Sequence, residues 1–187
     1  MSRGMLLQRA QLELIFQLVY EIPAIFGQSL SDNTPLEHLM TGYSGQETVD
    51  RLGRKDLNLD GSIINLAVVG SSRFYNFEVF ERIMQDWVEK NGYPDLIVVG
   101  GASGVDYMAE RWADANIVPI AVFAEEWDDP SRTLQDQGRA EAPNSLTEKI
   151  LYSATNILAM PSSTSKWTHV VIEEAGKRGI PVEVNEV

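Results

Sequence analysis

Three loops of this chain carry residues that could bind an anion or perform acid–base chemistry. The most distinctive reads VVGGASGVD over residues 98–106, where an apolar run ends at two glycines and a helical pattern begins. Glycine lets a backbone turn close to a ligand, and the amides at a helix N-terminus favour an anion. Ser103 could cap this helix, and Asp106 falls in its first turn. The alternative interpretation is a tight turn without a ligand.

Asp106 and Glu110 are the carboxylates best placed in the sequence for binding or acid–base chemistry. They are four residues apart, so a helix places them on one face. Beside a nucleotide, Asp106 fits a contact with a ribose hydroxyl, and the pair fits general acid–base work. Most such pairs are solvated helix surface, so the catalytic and the structural interpretations both stay open.

Two further loops follow apolar runs in the same way. The first, Gly70-Ser71-Ser72-Arg73, offers a flexible backbone, hydroxyls and a guanidinium that can grip phosphate or carboxylate with two hydrogen bonds. The second, over 161–168, has four consecutive hydroxyl residues that lead into a helix. Both loops suit an anion, and turn formation with helix capping explains part of each pattern.

A loop over 124–143 contains Trp127, which could stack on a base or plug the edge of the sheet. Another segment matches the first eight places of an EF-hand calcium loop through Asp56, Asn58 and Asp60. The twelfth place, which needs a bidentate Glu, is Ala67. A turn stabilised by these side chains is therefore favoured, and no metal site and no cofactor are predicted.

The elements that must position these loops alternate regularly. Strands are predicted over 63–69, 96–99, 117–123, 156–160 and 181–184, and helices over 77–89, 105–115, 146–154 and 168–178. This alternation predicts an α/β fold, a Rossmann-like doubly wound parallel sheet of about five strands. Ligands of such sheets bind beyond the carboxyl ends of the strands, which is where all three loops fall.

Composition and the N-terminal region limit the classes of function. The 187 residues carry a net charge of −12, which disfavours nucleic acid as a partner, and no cysteine, which excludes disulfides and Cys-ligated zinc. Residues 1–60 are predicted to be a mainly helical extension, with helices over 4–21 and 45–55, and 61–187 to be the ligand-binding domain. Charges interrupt the apolar stretch 6–27, so no membrane partner, a cytoplasmic location and a possible homo-oligomer contact through this helix are expected.

Four stretches together resemble the SLOG superfamily, the Rossmann-like group of the DNA-processing protein Smf/DprA and the LOG phosphoribohydrolases. They are GSSRFYNFEVF, GGASGVDYMAERWA, the acidic loop that ends in GRAEAP, and SSTSKWTHVVIEEAGKRGIPVEV, and the YspA-related branch is the most similar. The resemblance implies a pocket for a nucleotide or a nucleotide-derived molecule. The expected ligand-binding residues are Gly70, Ser71, Ser72, Arg73, Gly100, Gly101, Ala102, Ser103, Gly104, Asp106, Trp127, Arg139, Ser165 and Thr168.

The chain departs from the LOG pattern at two places. LOG enzymes carry Pro-Gly-Gly-x-Gly-Thr, but here Trp167 stands where a glycine precedes Thr168. The branch often has Gly-Pro-x-Arg-Asn after the long loop, and this chain lacks that arginine, for which Arg139 is a candidate replacement. These departures weaken the case for the LOG reaction more than the case for binding.

Three hypotheses follow. The first is a sensor or sequestering protein for a nucleotide-derived ligand, of the ADP-ribose, NAD or nucleoside monophosphate type. The second is an N-glycosidic-bond hydrolase in which Asp106, Glu110 or Glu174 activates water and Arg73 holds phosphate. The third is a protein–protein adaptor with a vestigial pocket and the N-terminal helix as its working surface.

Overall fold

The computed structural model of this protein describes residues 44–123 and 144–187, and this part of the chain is an α/β structure. Its strands are β1 (Asn65–Gly70), β2 (Leu96–Val99), β3 (Ile120–Val122), β4 (Asn156–Met160) and β5 (Val182–Val184). Its helices are α1 (Gly45–Leu52), α2 (Phe77–Asn91), α3 (Val105–Asn116), α4 (Asn144–Ser153) and α5 (Lys166–Arg178). The predicted helix over 4–21, Trp127 and Arg139 lie outside the described residues.

The five strands form one sheet in the order β3-β2-β1-β4-β5, and every neighbouring pair is parallel. The predicted Rossmann-like architecture is therefore confirmed. From β1 the chain moves outward to β2 and β3, and it then crosses back to add β4 and β5 on the other side. The strand order thus reverses between β1 and β4, which is where open sheets of this kind leave a crevice for ligands.

Helices cover both faces of the sheet. The side chains of Leu66 and Val68 on β1 pack in a cluster with α2 and α3, and those of Ala67 and Val69 pack in a second cluster with α1, α4 and α5. This burial on both faces explains why β1 is apolar at successive positions rather than at alternate ones. In α2 the buried side chains are Phe80, Met84 and Trp87, which are spaced as one face of a helix.

A buried carboxylate holds the amino edge of the sheet together. Asp95 precedes β2 and is 1% exposed. It accepts hydrogen bonds from the amides of Leu57 at 2.6 Å, Asn58 at 3.0 Å and Ile64 at 2.8 Å. Burial raises the pKa of this carboxyl, and the three amides act in the opposite direction. Asp95 thereby fastens the segment before β1 to the start of β2.

We expect Asp95→Ala to lower the free energy of unfolding by about 2–4 kcal/mol, because it leaves three buried amides without an acceptor. Urea denaturation at neutral pH would measure this loss. Asp56→Ala is the matched control, since its carboxylate binds the amides of Asp60 and Gly61 in an exposed turn. There the loss should be about 1 kcal/mol or less. Equal losses in the two variants would contradict the role given to Asp95.

The calcium-loop-like segment forms the turn that the sequence favoured. Asp56 accepts from the amides of Asp60 and Gly61, and Asp60 accepts from Ser62. The side-chain Nδ2 of Asn58 donates to the carbonyl of Tyr93 at 2.7 Å. These polar groups serve the backbone of the turn.

α1 lies against the outer edge of β3. A Cβ atom added to Gly45 would be 2.6 Å from the carbonyl oxygen of Val122, so only a glycine allows this approach. The helix begins with a capping box between Ser44 and Glu47, and Val49 is buried against the sheet. Residues 44–60, which the sequence assigns to the extension, thus lie in the compact unit Ser44–Val187.

Candidate functional site

The three loops that the sequence indicates for anion binding, those after β1, β2 and β4, meet at the carboxyl edge of the sheet. The loop after β1 joins the end of β4, because the amide of Ser71 donates to the carbonyl of Met160 at 2.9 Å. A Cβ atom on Gly70 would be 2.6 Å from that same carbonyl oxygen. The strand ends are therefore packed tightly at the point where the strand order reverses.

The loop after β1 also contacts the loop after β2. The carbonyl of Ser71 accepts from the amide of Val105 at 3.1 Å, and that of Ser72 accepts from the hydroxyl of Ser103 at 3.1 Å. Gly104 lies at this contact with φ +71, where a Cβ atom would be 2.5 Å from the carbonyl carbon of Ser72. Glycine is therefore required at residue 104, both by the positive φ and by the close packing of the two loops.

The expectation that Ser103 caps α3 is wrong. The N-cap residue is Gly104, and no side chain of the described residues caps the helix. The Ser103 hydroxyl donates to the neighbouring loop instead, so it holds two loops together. By contrast, Asn76 caps α2 with its own side chain.

Asp106 is the central group of the site. Its side chain is 1% exposed. Oδ2 accepts from the amides of Gly100 at 3.2 Å and Ala102 at 3.1 Å, whereas Oδ1 is buried without a hydrogen-bond partner. The anion that these amides bind is therefore the chain's own carboxylate. An exchangeable partner for Oδ1 would have to be a hydrogen-bond donor when the group is ionised.

The environment of Asp106 brings the pKa of its carboxyl group close to neutral pH. Burial raises its pKa to about 7, the Gly100 and Ala102 amides oppose the rise, and the nearby Glu110 carboxyl adds to it. Glu110 lies one turn further along α3, is half-buried, and has its pKa raised by burial. Its side chain has no hydrogen-bond or ion-pair partner among the described residues.

Arg73 stands in the loop after β1 with an exposed side chain. No described residue forms an ion pair with its guanidinium. The backbone amide of Arg73 donates to the hydroxyl of Ser71 at 3.3 Å, which fixes the start of the loop. Within residues 44–123 and 144–187, the guanidinium is thus exposed and unpaired beside the junction between β1 and β4.

The loop after β4 is a network of hydroxyls. Ser165 Oγ accepts from the amide of Ser162 at 3.0 Å and lies 2.9 Å from the Ser162 hydroxyl, which is 3.3 Å from that of Thr164. Ser165 is the N-cap residue of α5, but its side chain does not cap the helix. Thr168 in the first turn is 1% exposed, and its hydroxyl bonds to no other described residue. No side chain in the described part of the chain therefore caps the α5 N-terminus.

Trp167 links three elements around Asp106. Its Nε1 donates to the Thr147 hydroxyl of α4 at 2.9 Å. Its Cη2 lies 3.4 Å from the Cβ position of Gly100, and Asp106 Oδ2 is equally near that position. The sequence identified Trp167 only as a departure from a motif. Nothing in the spacing of residues 147 and 167 signals their contact.

Several predicted residues lie elsewhere. Glu174 is well along α5 and pairs with Lys177 at 2.7 Å, so it does not join Asp106. Asp56, Asn58 and Asp60 belong to the turn before β1, at the amino edge. Trp127 and Arg139 fall outside the described ranges.

Within residues 44–123 and 144–187, no group of three or more His, Cys, Asp or Glu side chains is placed to hold a metal ion. Over the same residues, no helix has the length and apolar character needed to cross a bilayer. Comparison of the chain with family models, curated proteins and solved structures found no match.

Proposed function

We propose that this protein binds a nucleotide or nucleotide-derived ligand at the carboxyl edge of its sheet, as a sensor or a sequestering protein of the SLOG type. One observation carries the proposal. A buried carboxyl group at the ligand-binding edge of a Rossmann-like sheet has one oxygen held by two amides and the other without a partner. A purely structural carboxylate would be expected to have both oxygens satisfied.

The chemistry of the two halves of the site supports a ligand with a sugar and a phosphate. Beside β2, the free oxygen of Asp106 complements a hydroxyl donor, as a ribose supplies. Beside β1 and β4, the Arg73 guanidinium and the uncapped N-terminus of α5 complement an anion. The ends of β2 and β4 are two strand spacings apart, about 10 Å. That span matches the length of a nucleotide.

Turnover is the second candidate function, and the pKa of Asp106 near 7 favours it. In an N-glycosidic hydrolysis, the carboxylate would take a proton from a water whose oxygen bonds to the anomeric carbon. The carbon–nitrogen bond then breaks, and the base leaves with the electron pair and takes up a proton. Glu110, one helical turn further along α3 and close enough to raise the pKa of Asp106, is the second carboxyl group that could carry the transferred proton.

The test is calorimetric titration of the whole chain with AMP, GMP, NAD, ADP-ribose and a cyclic dinucleotide, with base release followed chromatographically in each mixture. We expect a dissociation constant in the micromolar to millimolar range for at least one compound. Arg73→Gln should weaken that binding about tenfold or more, because a charge-assisted hydrogen bond to phosphate is lost. Arg82→Gln, an exposed arginine in α2, is the matched control.

Binding without base release supports the sensor, and binding with release supports the hydrolase. If none of the five compounds binds, the proposed function is wrong. Equal weakening by the two arginine variants would show that Arg73 acts through the overall charge of the protein and not as a ligand contact.

A further inference from the structure

The indole of Trp167 occupies the space beside the Asp106 loop. Its Cη2 atom lies 3.4 Å from the position that a Cβ atom on Gly100 would take, and the bond from Nε1 to Thr147 fixes the orientation of the ring. Thr147 is itself buried, at 6% exposed. The ring is therefore held in one position by groups that belong to α4 and to the loop after β2.

We infer that Trp167 is a specificity-determining residue that keeps phosphate groups out of the Asp106 end of the site and leaves that end to an uncharged, hydroxyl-bearing sugar ring. This inference rests on the proposed function and assigns the orientation of its ligand. The sugar lies against Asp106 and Trp167, and the phosphate lies toward β1 and β4.

Three features exclude an anion from the Asp106 end. The amides of Gly100 and Ala102, which could hold a phosphate, already hold the Asp106 carboxylate. The other carboxyl group near it, Glu110, adds negative charge when ionised. No arginine or lysine among the described residues forms an ion pair with either carboxylate. At this end a phosphate would find both of those amides occupied and would face repulsion from the carboxylates.

The ring adds a steric barrier to this electrostatic one. Because Cη2 lies 3.4 Å from the position of an added Gly100 Cβ, the space between the indole and Gly100 has room for about one methyl group, and a phosphate is too large to enter it without moving the indole. Moving the indole would break its bond to Thr147. A hydroxyl needs less room and donates the hydrogen bond that Asp106 Oδ1 lacks.

The first measurement needs no nucleotide. Tryptophan fluorescence is quenched by iodide, an anion, and by caesium, a cation. The quenching of Trp167 alone is the difference between the quenching of the wild type and that of Trp167→Phe. We expect iodide to quench Trp167 less than caesium does. At pH 8, above the pKa of Asp106, Asp106→Asn should raise the iodide quenching of Trp167 at least twofold, whereas Asp114→Asn, an exposed residue of the same helix, should not.

The second measurement compares AMP with adenosine 3′,5′-bisphosphate, which differs only by a phosphate on the sugar. We expect the wild type to prefer AMP at least tenfold, and Trp167→Ala to reduce that preference at least threefold. Trp167→Phe keeps most of the ring and should retain the preference if Trp167→Ala fails to fold.

The two measurements separate the possible failures. If neither compound binds but Asp106→Asn raises the iodide quenching of Trp167 as expected and Asp114→Asn does not, the nucleotide assignment fails and the anion-excluding subsite stands. If iodide quenches Trp167 as well as caesium does, or if the wild type binds the bisphosphate as tightly as AMP, the inference is overturned.

Discussion

The free energy of unfolding of Asp106→Asn, taken relative to that of the wild type, is expected to be higher at pH 8 than at pH 5. The pKa of Asp106 is about 7 in the folded protein because the group is buried, against an ordinary value near 3.8. The native state therefore holds this proton where the unfolded state has lost it. The stabilisation that this bound proton gives to the native state is complete below about pH 4, and it is lost as the pH rises to about 7.

The size of this effect follows from the shift. The wild type should lose on the order of 4 kcal/mol from this group between pH 4 and pH 8, and Asp106→Asn should lose none of it. Asparagine keeps an oxygen that can accept from Gly100 and Ala102, so the loop remains supported. Urea denaturation of both proteins at a series of pH values gives the difference directly.

Asp114→Asn serves as the control, because it removes an exposed carboxylate from the same helix. Its stability difference from the wild type should change by less than about 1 kcal/mol over that pH range. If Asp106→Asn tracks the wild type at every pH, then Asp106 titrates as an ordinary exposed acid. The pocket would then be open to water in solution.

The same variant tests the site. When Asp106 accepts a ligand hydroxyl as a carboxylate, its replacement by a neutral amide should weaken nucleotide binding about tenfold or more at pH 8. A variant that is more stable and binds less well would show that the buried carboxyl is retained for ligand binding at a cost in stability.

The second large effect is expected from Gly104→Ala, which should lower the free energy of unfolding by about 3–5 kcal/mol. Two causes add. The φ of +71 is strained for a residue with a side chain, and the new methyl group would collide with the backbone of Ser71 and Ser72. Neither neighbour can yield easily, because Ser71 bonds to both Met160 and Val105. Urea denaturation measures the loss.

Gly176→Ala is the matched comparison. Gly176 lies inside α5 with open space around it and is not among the glycines of positive φ. The same substitution there should therefore stabilise the protein by about 0.5–1 kcal/mol, as alanine does in a helix. A loss at residue 104 no larger than about 1 kcal/mol would mean that the two loops are not packed together as described.

Periodicity and strand length predict most of the architecture correctly. The run Leu96–Val99 and the helix Val105–Asn116 have the predicted position, since a strand buried on both faces and an amphipathic helix leave strong local patterns. β3 is shorter than the predicted 117–123. Ile117 ends α3 in a left-handed conformation, and strand pairing begins only after Pro119.

The site is less predictable for two reasons. Some of its key contacts join residues that are distant in sequence, and the amides of its loop donate to a side chain of the protein itself. The glycines and Asp106 were identified from a local motif, and their position at the carboxyl edge follows from the fold. That the amides of the loop are occupied by Asp106 itself depends on a side-chain rotamer, which no spacing rule gives. The contact between Thr147 and Trp167 depends on how α4 and α5 pack.

The helix α1 has a consequence for solubility. A sheet of this order has two outer strands, and a bare outer strand is a template for pairing with another chain. At β3 the start of α1 occupies the space beside the Val122 carbonyl, so an incoming strand cannot align there. At β5, which has only three residues, Glu183 pairs with Lys90 and places charge beside the edge. Shortening the chain to begin after Leu52 would remove α1 and expose the outer edge of β3. The resulting protein should form oligomers or aggregates at concentrations where the longer chain stays dispersed.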